Sequence, residues 1–302
     1  MKKRYFFIIF VENNDPMIKN ISLIIPEYWH IDGGVSFGVV PKGIWNKSYP
    51  ADENNNLLIV NRLLLLETDN RLILFNTGYG NKRSERYYQF KYITKRTPLI
   101  ECIREAGYKP EDVTDVFFTH LHDDHCGGTT YLDASSNNVL PVFKKARHWI
   151  SQKQWDWALN PNPREAASYF PDNFLPLQEH KILNLLNPEE QPFADDGIEL
   201  RHFDGHTAGQ AIPFMKFQGH TIVYASDFIA TSTHIPLPYI PSVDIEPLKS
   251  LSEKEVFLHE AVKNNYILLF EHDTVSEACT VVETEKGFFA GKKARLSELL
   301  DE

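Results

Sequence analysis

Apolar residues along the chain fall in short continuous runs. Leu57 to Glu67 is the longest, Arg71 to Phe75 follows, and Asp115 to Phe118 is a third. Runs this short and unbroken predict strands buried on both faces. Thr68-Asp69-Asn70 between the first two is turn chemistry and predicts a hairpin. Val35 to Val40, opened by Gly33-Gly34 and stopped by Pro41, reads as a further strand. Val139 to Phe143 and Ala146 to Ile150 come next. A second cluster holds Ile198 to Phe203, Ala211 to Phe217 and Thr221 to Ala225, with Gln218-Gly219 as a hairpin turn and His220 beside it. Tyr266 to Phe270 and Cys279 to Thr284 complete the set.

Helices are predicted at five places, counting a short one at Arg164 to Phe170. Pro98 to Ala106 begins with a first-turn proline and ends at Gly107. Ser151 to Leu159 carries a serine cap, and the breaker cluster Asn160-Pro161-Asn162-Pro163 follows it. Ser252 to Asn264 opens with Ser252 and Glu255 spaced as a capping box. A short helix closes the chain from Ala294, and Arg164 to Phe170 reads as one more short turn. Asn81 to Lys95 is charged and aromatic and reads as a helix or a flap. Two strand-rich halves with flanking helices emerge, without a solenoid repeat.

Composition narrows the class. The 302 residues are 42% hydrophobic and 24% charged, ordinary for a globular chain with a sizeable core. A formal charge of −10 argues against nucleic acid or an anionic membrane as partner. Three cysteines, Cys102, Cys126 and Cys279, do not form a disulfide framework, so a cytoplasmic setting is expected. Lys2-Lys3-Arg4 and the apolar Tyr5 to Val11 lack a small-residue cleavage site and read as an edge strand within a variable extension, residues 1–30. No apolar run is long enough to span a bilayer.

The chemistry concentrates in Thr119-His120-Leu121-His122-Asp123-Asp124-His125-Cys126-Gly127-Gly128, directly after the Asp115 to Phe118 run. His120 and His122 are two apart, so in extended backbone they point to one side and can share a metal ion. Asp124 and His125 come once the chain has begun to turn and can face a second ion. Imidazole with carboxylate suits zinc or a similar divalent metal. Cys126 reads as a small loop residue, because the motif already supplies ligands. Gly205-His206-Thr207, Asp227 and His272 each follow a predicted strand, so one sheet edge can gather them all. His148 and His259 read as packing and surface residues. Shared ligands between residues 120 and 272 favour one domain over residues 1–302.

His120-x-His122-x-Asp124-His125, then His206, Asp227 and His272, resembles the metallo-β-lactamase superfamily. Asp32 to Lys42, together with Asp227-Phe228, Thr231, His234 and Asp244, is similar to its quorum-quenching lactonase and methyl parathion hydrolase-like branch. The resemblance implies an α+β, four-layer αβ/βα sandwich with two mixed sheets. It implies that His120, His122 and His206 hold one ion, Asp124, His125 and His272 the other, and that Asp227 bridges. The ions would be zinc, with iron, manganese or cobalt as alternatives. A metal-bound hydroxide would then cleave a lactone, ester or phosphoester, with Asp124 accepting its proton.

Two departures from the resemblance matter. Asn76 stands where the superfamily commonly has aspartate, so the charge supporting the ligands is missing there. Phe228, Ile229 and Ala230 follow Asp227, where the lactonases often carry a tyrosine, which weakens an acyl-homoserine lactone substrate and leaves a phosphotriester open. A di-iron redox protein on the same fold is disfavoured, because such proteins usually place glutamate where His122 stands. A non-catalytic binding module is disfavoured by the full ligand set. Phe37 and His234 are expected to contact substrate, with Trp45 also near the mouth. The aromatic segment 151–180 is expected either to cap the site or to form a homodimer face.

Overall fold

The computed structural model describes residues 18–301. The expectations for Tyr5 to Val11 and for Asn13 to Pro16 lie outside that range. The first sheet is built from β1 (Asn20–Asp32), β2 (Asn56–Glu67), β3 (Leu72–Phe75), β4 (Ile93–Arg96) and β5 (Asp115–Phe117). A small hairpin, β6 (Thr130–Asp133) and β7 (Asn138–Pro141), intervenes before β8 (Arg147–Ser151) and β9 (Leu183–Leu186) return to it. The order is β4-β1-β2-β3-β5-β8-β9. The β3, β5, β8 and β9 strands run parallel to one another, and β1–β2, β1–β4 and β2–β3 are antiparallel.

The second sheet runs β10 (Ile198–Phe203), β11 (Gln210–Phe217), β12 (His220–Tyr224), β13 (Ile267–Leu269), β14 (Ala278–Thr284) and β15 (Gly287–Ala294) in that order. Only β12 and β13 pair in parallel. Both sheets are therefore mixed.

Strand periodicity explains the apolar runs. Leu64 and Leu66 of β2, Ile73 and Phe75 of β3, and Phe117 of β5 point into a cluster shared with Ile198, Met215, Ile222, Tyr224, Ile267 and Leu269 of the second sheet. Their neighbours Leu63, Leu65, Leu72, Leu74 and Val116 point the other way. They meet the helices Leu99–Glu105 and Gln152–Leu159 through Ile103, Trp155 and Ala158. On the far side, Phe214, Val223 and Leu268 meet Phe257, Leu258 and Ala261 of the helix Pro247–Lys263. Helix, sheet, sheet and helix stack as four layers, and every central strand is apolar on both faces.

Several expectations are corrected. Gly33–Phe37 is a helical turn, not a strand, because the Asp32 carboxylate accepts from the amides of Gly34 and Val35 as a cap. The long helix begins at Pro247, so Ser252 is interior and its hydroxyl returns to the Lys249 carbonyl. Residues 20–30 are no extension, since β1 pairs with β2 from Asn20–Glu67 to Asp32–Asn56. Residues 81–95 divide into the helix Glu85–Phe90 and β4. His220 opens β12 instead of sitting in the turn. Ser151 does cap its helix, accepting from the Gln154 amide at 3.0 Å. No helix among the described residues is long and apolar enough to cross a membrane.

Candidate metal centre

Five strands end at one edge, and the polar residues just past those ends meet there. They are Asn76 after β3, Thr119 and His120 after β5, His206 after β10, Asp227 after β12, and Glu271 and His272 after β13. His122 stands at the cap of a helical turn, Asp123–Cys126, which redirects Asp124 and His125 away from it. His120, His122, His206 and Asp227 form one group of donor atoms, all within 4.8 Å of one another. Asp124, His125 and His272 form a second group on the same criterion.

The outer nitrogen of each imidazole is engaged, which decides where the other one points. Nδ1 of His120 lies 3.1 Å from the Thr119 hydroxyl, and Nδ1 of His206 lies 2.9 Å from the Asp244 carboxylate. Nδ1 of His272 donates to the Val60 carbonyl at 2.9 Å, and Nδ1 of His125 lies 3.2 Å from Glu271. His122 is reversed, with Nε2 held by Glu165 at 2.9 Å. The inward nitrogens are left facing one another across the two groups.

They nevertheless crowd together. His120 Nε2 is 3.0 Å from His122 Nδ1, His206 Nε2 is 3.2 Å from that same atom, and His125 Nε2 is 3.3 Å from His272 Nε2. Asp227 reaches both groups, with Oδ2 at 3.2 Å from His206 and 3.3 Å from His125. Its Oδ1 has no hydrogen bond, and His272 Nε2 stands 2.9 Å from it. Close-packed ring nitrogens and an unpaired buried carboxylate oxygen are stable together only with cations among them, protons or metal ions. The donor set therefore fits metal ions.

Electrostatics agrees. Burial opposes charge on His206, but Asp227 and Asp244 outweigh it and lift the imidazole to about 10. Burial also opposes ionisation of Asp124, yet His125 and His272 overcome it and hold the carboxyl below the usual range. His120 goes the other way, pushed well down by burial and by the charges of His125 and His122. Carboxylates that pull protons onto packed imidazoles will accept a divalent cation in their place.

Sequence reasoning missed Glu165 and Glu271. Glu271 is fully buried and takes hydrogen bonds from the Asn76 amide at 2.9 Å and the Ser226 hydroxyl at 2.8 Å. The charge absent at position 76 thus stands on β13's end, and Asn76 serves it. Asn76 has a φ of 60°, a left-handed conformation that asparagine tolerates. Glu165 also takes bonds from Trp157 and Tyr169, each at 2.7 Å. The segment 151–180 contributes directly to the site, with Arg164, Glu165 and Ser168 in the cavity wall. A buried carboxylate beside an aromatic run was the available signal.

Phe37 and His234 do not contact the cavity, a correction to the expectation. Phe37 is fully buried, stacked 4.8 Å from Trp45 and 4.6 Å from His234. His234 is locked between the Thr231 hydroxyl and the Ser36 carbonyl, and burial pushes its pKa down to about 4. Cys126 closes the helical turn instead of lying in a loop, buried with its Sγ against the Leu121 carbonyl. His148 stacks on Phe118, and His259 is exposed beside Glu283.

Residues 60–268 match the model of the metallo-β-lactamase superfamily. The chain belongs to that superfamily. Among relatives of this metallo-β-lactamase superfamily chain, an N-acyl homoserine lactonase of Bacillus cereus is 22% identical over 234 residues, 74% of this chain and 82% of that protein. A probable metal-dependent hydrolase from Staphylococcus aureus superposes with a TM-score of 0.80 at 27% identity, covering 92% of this chain and 99% of that one. AidC, a dizinc quorum-quenching lactonase in complex with a product, superposes at 0.74 with 20% identity, covering 91% and 95%. With its histidine and aspartate donor groups, this member of the metallo-β-lactamase superfamily is a metal-dependent hydrolase.

Proposed function

We propose that the protein holds two divalent ions, zinc in the first place, and hydrolyses a small lactone or ester bearing an apolar group. The observation that carries this is the pair of donor groups joined by Asp227. His120, His122 and His206 would hold one ion, Asp124, His125 and His272 the other, with Asp227 between. The ions supply Lewis acidity and bring the pKa of water to roughly 7.

This chain's residues do the rest. Asp124 Oδ2 lies 3.4 Å from His125 and 3.8 Å from His272, so its carboxylate stands where it can orient attacking water and take its proton. A cavity of about 450 Å³ opens over the groups, walled by Trp29, Ile31, Ile59, Ala230 and Val243. That wall excludes water from an acyl chain and suits a small apolar substrate. Phe228 stacks on Phe203 at 3.9 Å and is directed into packing. The names of the lactonase relatives support the lactone arm.

The test is a panel of a chromogenic lactone, an aryl ester and a phosphotriester, run on metal-reconstituted protein with and without chelator. Chelator-sensitive turnover of the lactone or ester is expected. Turnover of the phosphotriester alone would move the substrate class, and no turnover of any kind would overturn the reading.

A further inference from the structure

The cavity's polar groups are mostly spoken for. Lys91 Nζ is 3.0 Å from Asp123, Arg164 donates to the Ser242 carbonyl, and Thr231 is 2.7 Å from His234. Ser242 bonds the Val35 carbonyl at 2.9 Å. Three wall hydroxyls have no hydrogen bond among the described residues: Tyr79, Ser36 and Ser168.

Tyr79 stands apart from the two serines. It is only 3% exposed, yet its phenol is unpaired, whereas the buried Tyr49, Tyr224 and Tyr169 all donate. Its ring is buried, but the hydroxyl oxygen is not sealed in the interior, so it opens to the cavity and is free to donate there. Its ring is fixed edge-on to Trp29 at 5.3 Å, with Lys91 Nζ 5.7 Å from its centroid. Trp29 in turn meets the His272 ring at 6.1 Å. The backbone is fixed too, because a Cβ on Gly127 would lie 2.3 Å from the Tyr79 carbonyl oxygen. Only a glycine in the histidine motif lets the two loops approach so closely. Burial, and then the charges of Asp124 and Asp123, push the phenol's pKa up, so it keeps its proton at neutral pH.

We propose that Tyr79 is a catalytic residue whose hydroxyl donates a hydrogen bond to the reacting carbonyl oxygen of the substrate. This rests on the hydrolase reading above. As water's oxygen bonds to the acyl carbon, the C=O electron pair moves to that oxygen, and the phenol stabilises the charge without giving up its proton. The pair then re-forms C=O, the C–O bond breaks, and the alkoxide takes the proton that Asp124 had accepted. A rigid donor in the wall of the cavity over the donor groups would be a large contributor to such a step.

The experiment compares Tyr79→Phe with wild type, because phenylalanine keeps the ring packing. With the best lactone or ester of the panel, kcat is expected to fall by about 100-fold with KM within roughly twofold, at equal metal content and equal melting temperature. An alkylphosphonate analogue, measured by calorimetry, is expected to bind about tenfold more weakly to the variant. Unchanged kcat and unchanged analogue binding in Tyr79→Phe overturn the proposal while leaving the hydrolase reading intact. A fall in kcat that tracks lost metal or lost stability also overturns it, since that is a structural role. A wild type silent toward every substrate overturns the hydrolase reading and this proposal with it.

Discussion

The two donor groups are supported differently. Around His120, His122 and His206, two of the three outer partners are carboxylates on loops, Glu165 from the segment after the Gln152–Leu159 helix and Asp244 from the loop before the Pro247–Lys263 helix. Around His125 and His272, the partners belong to the sheets themselves, Glu271 at the end of β13 and the Val60 carbonyl within β2. That second half is cross-linked to the frame, since the Arg62 amide donates to the Glu271 carbonyl at 2.9 Å and its guanidinium donates to the Asp273 carbonyl at 3.0 Å. One half of the site is thus held by the framework and the other by loop segments outside the sheets. If each group holds an ion as proposed, substitutions behind the first half should loosen one ion, and substitutions behind the second should disturb frame and ion together.

The largest effect is expected where the halves join. Asp227→Ala, or His122→Ala within the first half, should abolish chelator-sensitive turnover with the far-ultraviolet dichroism unchanged. Full turnover in either would dissolve the comparison altogether. Next is Glu271→Gln, which removes a buried charge that three side chains address. Metal affinity should drop about 10–100-fold, with a lower melting temperature, by metal titration and thermal denaturation. Placing Asp at 76 in that background should restore part of the affinity, while Asn76→Asp alone sets two carboxylates side by side and should not. If the double variant is no better than Glu271→Gln, the charge does not belong to that pocket.

Glu165→Gln sharpens the contrast. It should weaken one ion about 10-fold, seen as a lower metal-to-protein ratio at limiting metal, with little change in melting temperature. Loss of both ions would show that the halves are not independently held. The smallest effect concerns pH. His148 and His234 are both held neutral by burial, which pushes each pKa down to about 4. Their folded pKa lies below the unfolded value near 6.5, so their contribution is complete above that pH and is lost as pH falls toward 4. Each is worth roughly 3 kcal/mol at most. Urea midpoints measured from pH 7 to 4 should decline, and His234→Gln should flatten the decline.

Much of this was legible because it depends on local periodicity. The apolar runs at Leu57 to Glu67 and Tyr266 to Phe270 became central strands, since only a strand buried on both faces needs such continuity. The metal donors were legible because each follows a strand, and strand ends share an edge. The strand expected at Val35 to Val40 was misjudged because the Asp32 cap satisfies backbone amides that no side-chain pattern announces. Ser252 was misjudged because Pro247 offered an earlier start. Phe37 and His234 were misplaced because sequence separates neither side of a wall from the other.

Local order along the chain, then, determined the strands, the two flanking helical layers and the identity of the metal-facing side chains, because spacing of two or of three to four residues sets which face a residue takes. Only the folded chain decided which nitrogen of each imidazole turns inward, that the missing charge at Asn76 is carried by Glu271, and that Tyr79 is left with a free hydroxyl. Apart from Thr119 beside His120, those depend on contacts between residues 38 to 212 positions apart, and no local spacing encodes a contact at that range.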